Sequence, residues 1–293
     1  MEVRAWSAII GGFRRNLLSS PYAIELTDLH VDVPSRKILR GIDWALPYGA
    51  RAAVLGPNGC GKSTLLKAIT AYGHFTSGRA VILGETLGEN EVHRLRTRMG
   101  IVDPTLVRLI DRGVTTQGLA ATGFFGNLTT HFDRPSQAQL KIAAELLAEV
   151  GLGDHLQQDV TTLSSGQRSR LWLARALVHE PELLILDEPT ADLDILARET
   201  LLATLDNLAR KRPRMTTLVV THHLEDLIPN TDHVLLLGNG KTIAAGAPDE
   251  VLTSHHLSNA FGCSVDVHRH NDRWQWSVAQ STWDHLTLNP PLK

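Results

Sequence analysis

A glycine-rich loop with a single lysine is the stretch of this sequence best suited to chemistry. The segment GPNGCGKST has the spacing G-x-x-x-x-G-K-[ST], with an apolar run before it and a helical pattern after it. Successive backbone N–H groups of such a loop point at phosphate oxygens, and the lysine adds positive charge. The sequence therefore predicts a nucleotide-phosphate site. Its predicted residues are Gly56, Pro57, Asn58, Gly59, Cys60, Gly61, Lys62, Ser63 and Thr64.

Two adjacent carboxylates follow a second apolar run, in the segment ELLILDEPTADLD. Residues 183–186 predict a buried strand, and Asp187 and Glu188 follow at its carboxyl end, where open α/β sheets bind ligands. Neighbouring strand residues face opposite sides, so we expect the pair to divide two roles. Asp187, together with Ser63, would ligate Mg²⁺, and Glu188 would polarise an attacking water.

A further strand pattern, LVVTHH, ends in His222 and His223. A histidine at a strand end is usually structural when it stands alone. Here it follows the phosphate loop and the carboxylate pair in order, which favours a functional role.

The segment TLSSGQRSRLWLARAL resembles a second phosphate loop without its lysine. Small polar residues precede a helical pattern, and the amides at a helix start suit an anion. The candidate residues are Ser164, Ser165, Gly166 and Gln167.

The elements that must position these residues follow from the hydrophobic patterns. Two alternating segments on either side of Pro34-Ser35 predict paired strands, and further strand patterns recur at residues 218–220 and 234–237. Helical patterns between strands favour a mostly parallel sheet covered by helices. We therefore predict an α/β fold: a P-loop NTPase core, an N-terminal antiparallel β subdomain and an inserted helical subdomain.

The predicted organisation has three parts. Residues 1–21 form an N-terminal extension, either flexible or loosely packed, with a membrane-surface helix as the alternative. Residues 22–252 form the nucleotide-binding domain, whose helical subdomain spans about residues 105–175. Residues 253–293 form a C-terminal extension with a helix and a hairpin that turns at Asn271-Asp272.

Composition narrows the function classes. A net charge of -2 and a pI near 6.7 give no reason to expect a nucleic-acid surface. Two cysteines, Cys60 and Cys263, favour a reducing cytosol over a disulfide framework. No run of 18 apolar residues exists, so no membrane-spanning helix is predicted.

Taken together and in this order, GPNGCGKST, LSSGQ, LLILDEP, ADLD and VVTHH resemble the motifs of the ATP-binding cassette (ABC) ATPases over about residues 24–248. The resemblance implies ATP and Mg²⁺ as cofactors. It implies that Glu188 is the catalytic carboxylate, that His222 is the switch histidine that contacts the γ-phosphate, and that Asp194 is the D-loop aspartate.

The same resemblance gives the second loop a role. In this family the signature motif lies against the γ-phosphate bound to the P-loop of a second cassette. Ser164 and the amides around Gly166 would then act in trans, with Lys62 of the partner cassette supplying the charge. Because this chain carries one cassette, a homodimer or a paired second cassette is implied.

Three positions depart from the family pattern. The adenine-stacking aromatic is replaced at or next to Val33. The Q-loop glutamine is absent where the chain has Asp103-Pro104-Thr105, so either Asp103 substitutes near the metal or the coupling differs. The first signature glycine is Ser165, which narrows the approach to the partner's phosphate and adds a hydroxyl donor.

The expected function is an ATPase motor that drives a separate membrane permease from the cytoplasmic face, with no nucleic acid as partner. Short resemblances in GFFGN and in the C-terminal segment point to the molybdate or iron-chelate uptake type. The alternatives are a soluble non-transport cassette that acts as an ATP-driven clamp, and a binding-only regulator. Glu188 argues against the regulator, since a clamp without hydrolysis does not need that carboxylate.

Overall fold

The computed structural model describes residues 20–89, 92–103, 113–126, 134–278 and 282. The predicted N-terminal extension falls almost wholly outside the described residues, as do Pro104 and Thr105 and parts of the predicted helical and C-terminal units. The strands are β1 (Tyr22–Val33), β2 (Arg36–Pro47), β3 (Arg51–Leu55), β4 (Ser77–Ile82), β5 (Glu85–Thr86), β6 (Met99–Val102), β7 (Leu183–Asp187), β8 (Thr216–Thr221), β9 (His233–Gly238), β10 (Lys241–Gly246), β11 (Val265–His270) and β12 (Arg273–Val278). The α-helices are α1 (Lys62–Ile69), α2 (Val92–Arg96), α3 (Thr116–Ala121), α4 (Gln137–Glu149), α5 (Ser165–Leu177), α6 (Ile195–Lys211), α7 (Pro248–Val251) and α8 (Ser254–Phe261).

A six-stranded sheet with the order β10-β9-β3-β8-β7-β6 forms the centre of the fold. Its strands pair in parallel, except that β10 runs antiparallel to β9. Strands β7 and β8 are buried along almost their whole length, because helices cover both faces of such a sheet. This arrangement confirms the predicted α/β class with a mostly parallel sheet.

A second sheet, antiparallel with the order β2-β1-β4-β5, confirms the predicted N-terminal β subdomain. Strands β1 and β2 meet in a hairpin at Pro34-Ser35, as their alternating patterns predict. Strand β4 was not predicted, because only the second half of SGRAVI is apolar and buried. Pairing with β1 therefore determines that strand more than its own composition does.

The segment predicted as helical contains three of the described helices: α3, α4 and α5. Helix α4 begins after the cap Ser136 and its end is followed by Gly151 at φ 75°, which matches the helical periodicity and the stop at Gly151. The three helices share one apolar core with the edge of the central sheet, and Trp172 is its largest fully buried side chain. The domain boundaries themselves stay predictions.

The C-terminal segment folds back onto the central sheet. The predicted hairpin forms between β11 and β12 and turns at Asn271 and Asp272, both with positive φ. Its aromatic residues pack on α8, with Trp276 edge-on to Phe261 at 4.8 Å between ring centroids. Within the part of the chain that is described, no helix is long and apolar enough to cross a membrane.

Candidate nucleotide site

The phosphate loop joins the end of β3 to the start of α1. Gly56 passes so close to strand β9 that a Cβ would lie 2.4 Å from the carbonyl oxygen of Leu237. Gly59 and Gly61 adopt φ of 77° and 112°, values that L-residues seldom take. The close approach requires glycine at position 56, and the positive φ values favour glycine at positions 59 and 61. The loop turns the chain into a helix whose first amides lack intrahelical acceptors.

Lys62 is the first residue of α1, and only 5% of its surface is exposed. Its Nζ donates hydrogen bonds to the carbonyl oxygens of Gly56 at 2.8 Å and of Pro57 at 3.2 Å. The ammonium group thus lies over its own loop, where a phosphate can compete with the two carbonyls. Ser63 is exposed and Thr64 is half-buried on the same first turn.

Cys60 lies in the loop, but its side chain belongs to the hydrophobic core and is 4% exposed. Burial raises the pKa of the thiol, with Lys62 acting in the opposite direction. The thiol therefore stays protonated and shielded, and Cys60 offers a nucleotide only its backbone.

The two carboxylates follow directly from strand β7. Asp187 is its last residue, and Glu188 leaves the strand with φ of 44° while its amide donates to Val220 O at 2.8 Å. The expectation that simple strand alternation separates the two side chains is wrong for Glu188, because this residue lies in a left-handed turn rather than in the strand.

Asp187 has electrostatic surroundings that suit a cation. Burial, then the neighbouring charges of Glu188 and Asp103, raise its pKa to about 6, against the lowering effect of Lys62. A divalent cation would relieve this repulsion. No group of three or more His, Cys, Asp or Glu side chains able to hold a metal occurs among the described residues. Mg²⁺ typically takes one or two protein oxygens and completes its shell with phosphate and water.

His222 follows the end of β8 and faces the catalytic carboxylate candidate. Its Nδ1 lies 3.0 Å from Glu188 Oε1, and both side chains are about one third exposed. The ring of His223 stacks beside it with centroids 4.0 Å apart. The structure thus brings together the histidine and the glutamate that the sequence placed 34 residues apart.

The predicted signature residues form the start of α5. Ser164 caps this helix: its hydroxyl accepts from Gln167 N at 3.2 Å, and Gln167 Oε1 accepts from Ser164 N at 2.9 Å. This reciprocal capping box uses both polar side chains and leaves the amides of Ser165 and Gly166 in the first turn. The S-x-x-Q spacing carries the signal for this cap, which the sequence analysis overlooked.

Gly166 has a packing role of its own. A Cβ on this residue would lie 2.7 Å from the Cβ of Ala197 in α6, so glycine lets the two helices approach closely. Asp194 caps α6 and accepts from Ala197 N at 2.8 Å. The signature and the D-loop candidate are therefore neighbours at two adjoining helix starts.

The three departures from the family pattern have distinct positions. Val33 ends β1 and is 38% exposed, available for apolar contact only. Asp103 directly follows β6 and contributes to the field at Asp187. Ser165 is half-buried in the first turn of α5.

The sequence is similar to those of known proteins over most of its length. The family model described as ABC transporter matches residues 39–191. The chain is 33% identical to the uncharacterized ABC transporter ATP-binding protein YlmA of Bacillus subtilis, over 85% of this chain and 95% of that protein. It is also 33% identical to the zinc transport system ATP-binding protein TroB of Treponema pallidum, over 83% of this chain and 88% of the relative.

The fold agrees with a solved structure of the same kind. The structure of cbiO1 from Clostridium perfringens, part of the ABC transporter complex cbiONQ, matches with a TM-score of 0.69 and 27% identity. The match covers 81% of this chain and 93% of that protein.

The two loop glycines give a matched test of the geometry. Gly56→Ala places a methyl group against a backbone carbonyl of β9, so we expect loss of ATP binding and a marked drop in the melting temperature. Gly59→Ala meets open space and adds only backbone strain, about 1–2 kcal/mol. Thermal unfolding with and without ATP measures both effects. Equal behaviour of the two variants would contradict the close approach of Gly56 to Leu237.

Proposed function

The chain belongs to the ATP-binding proteins of the ABC transporter family, and on this premise we propose that it pairs head to tail with a second cassette around two Mg-ATP and powers a separate membrane permease. Proteins of this family bind and hydrolyse ATP. The observation that carries the proposal is that the Lys62 loop and the Glu188–His222 pair follow neighbouring parallel strands at the same carboxyl end of the central sheet.

The binding step rests on the P-loop. Lys62 exchanges the carbonyl oxygens of Gly56 and Pro57 for the outer phosphates, and the first amides of α1 orient the phosphate chain. Ser63 and Asp187 are the residues that would hold Mg²⁺. The cation would supply charge neutralisation between the phosphates and the raised-pKa carboxylate Asp187.

The hydrolytic step rests on Glu188. Its carboxylate orients a water toward the terminal phosphate and accepts the developing proton. His222, 3.0 Å from Glu188 Oε1, fixes the direction of that carboxylate and presents its second ring nitrogen toward the phosphate. The attacking water is thus aligned by two residues from adjacent parallel strands.

Dimerisation is supported by the surface around the D-loop. Ile195 and Leu196, directly after Asp194, are 83% and 77% exposed although both are large and apolar. They lie beside the helix start that carries Ser165 and Gly166. A second copy placed over this surface would cover them and receive the signature amides at its own nucleotide.

The transport role is supported by the names of the relatives. TroB is a zinc transport ATP-binding protein, and cbiO1 is part of an ABC transporter complex. We therefore propose a place on the cytoplasmic face of a membrane, against a permease for a metal ion or a metal chelate. The cargo contacts then belong to the permease.

Replacing the catalytic carboxylate tests the proposed chemistry. We expect Glu188→Gln to lower ATP turnover by about 10²-fold or more, because glutamine cannot accept the proton of the attacking water. ATP affinity should persist, and size-exclusion chromatography with Mg-ATP should reveal a stable dimer. Glu145→Gln, an exposed change on α4, is the matched control and should behave as the wild type. A Glu188→Gln protein that stays monomeric in saturating Mg-ATP would contradict the head-to-tail arrangement.

The exposed apolar pair gives a separate test of the interface. In the Glu188→Gln background, we expect Leu196→Ser to weaken the ATP-bound dimer by about tenfold or more, since a buried leucine side chain contributes about 1.5–3 kcal/mol. Sedimentation velocity measures the dissociation constant. Ile142→Ser, at a 40% exposed position on α4, should leave it unchanged. Identical dimers from both variants would place the interface elsewhere.

A further inference from the structure

A buried carboxylate outside the nucleotide site connects three of its segments. The side chain of Asp226 is completely buried. Its Oδ2 accepts hydrogen bonds from Thr190 Oγ1 at 2.8 Å and from Thr221 Oγ1 at 2.6 Å. Its Oδ1 lies 3.0 Å from Arg198 Nη2, an ion pair by distance whose two atoms do not have hydrogen-bond geometry. Two hydroxyl hydrogen bonds and one ion pair thus compensate for the burial of this carboxylate.

The partners of Asp226 stand next to the predicted catalytic residues. Thr190 comes two residues after Glu188, and Thr221 directly precedes His222. Arg198 lies in the first turns of α6, which Asp194 caps. Thr221 Oγ1 also accepts from His223 N at 3.0 Å, which fixes the backbone just beyond His222. One side chain therefore holds the glutamate turn, the histidine turn and the D-loop helix together.

The C-terminal hairpin holds two of the same segments from outside. Arg273 of β12 donates to both carboxylate oxygens of Glu199 in α6, at 2.8 and 3.1 Å, and to Glu225 O at 2.8 Å. This bidentate contact keeps the pKa of Glu199 below its ordinary value. Glu225 immediately precedes Asp226. The hairpin thus adds a second connection between α6 and the segment around Asp226, which the buried Arg198–Asp226 ion pair already connects.

We propose that Asp226 is a positioning residue for ATP hydrolysis, which holds the turns of Glu188 and His222. We propose further that Arg273 of the C-terminal hairpin supports the same positions from outside. The inference rests on the proposed function, because it concerns how Glu188 and His222 are held. Among the described residues, the hydrogen bonds of Asp226 and Arg273 go to other segments than the phosphate loop, and Lys62 bonds to Gly56 and Pro57. We therefore expect Asp226 and Arg273 to affect the hydrolytic step and to leave the binding of ATP to the P-loop unchanged.

The main test compares two buried carboxylates. Asp226→Asn keeps the size of the side chain but removes its charge, so its contacts with Thr190, Thr221 and Arg198 weaken. We expect kcat to fall about ten- to a hundredfold, as misplaced catalytic groups cause, with the dissociation constant for ATP within about twofold of wild type. Asp206→Asn is the control: Asp206 is also buried, on α6, but pairs with Arg210 and Asn230, away from the site. It should lower stability without lowering kcat selectively.

A surface pair keeps the test valid if Asp226→Asn fails to fold. We expect Arg273→Met and Glu199→Gln each to lower kcat about threefold at unchanged ATP affinity, with no further loss in the double variant, as for residues that share one contact. Arg269→Met is the control, because Arg269 on β11 pairs with Asp249 and Asp272 instead.

The possible outcomes distinguish failure of this inference from failure of the proposed function. An active wild type whose Asp226→Asn and Arg273→Met variants turn over ATP at the wild-type rate would overturn the inference alone. Loss of ATP affinity in step with turnover would also overturn it. A wild type that binds ATP and never hydrolyses it would overturn the proposed function and this inference with it.

Discussion

The parallel register of β3, β8 and β7 is the constraint on which the nucleotide site depends. Leu55, the last residue of β3, pairs with Thr221, and Asp187, the last residue of β7, pairs with Val220. The phosphate loop, His222 and Glu188 therefore leave the sheet at nearly the same level. Because neighbouring strands lie about 4.8 Å apart, the separation of these groups is inherited from backbone hydrogen bonds rather than from side-chain contacts. The buried sheet thereby determines the distances between the predicted catalytic groups.

The register alone does not aim Glu188. A strand continuing through this residue would direct its side chain to one face of the sheet, whereas Glu188 has φ of 44° and its side chain meets His222. A non-glycine residue in this conformation costs about 1–2 kcal/mol, and it persists only where its surroundings hold it. The hydrogen bond from the Glu188 amide to Val220 O holds the turn at its start. The hydrogen bond from Thr190 Oγ1 to Asp226 Oδ2 holds it two residues later. The strain of the turn is thus offset by contacts on both sides.

The sequence predicts those features whose causes are local. Alternation of apolar residues located β1, β2 and the C-terminal hairpin, and spacing located the phosphate loop and Glu188. The sequence did not predict features that depend on residues far away in the chain. Gly56 is needed because of Leu237, and Gly166 because of Ala197. The burial of Cys60 and the turn at Glu188 likewise depend on the packing around them, which no single segment of sequence encodes.

The groups that would hold phosphate are bonded to their own chain in the structure. Lys62 bonds to two loop carbonyls, and Ser164 and Gln167 cap their own helix. ATP can therefore gain from Lys62 only by replacing bonds that already exist, which reduces the net free energy from that one contact. At the signature, the cap uses the side chains of Ser164 and Gln167 and leaves the first backbone amides for a partner's phosphate, and amides held by a helix start need no rearrangement. In the proposed dimer the preformed signature thus supplies the part of the phosphate contact that one P-loop cannot provide alone.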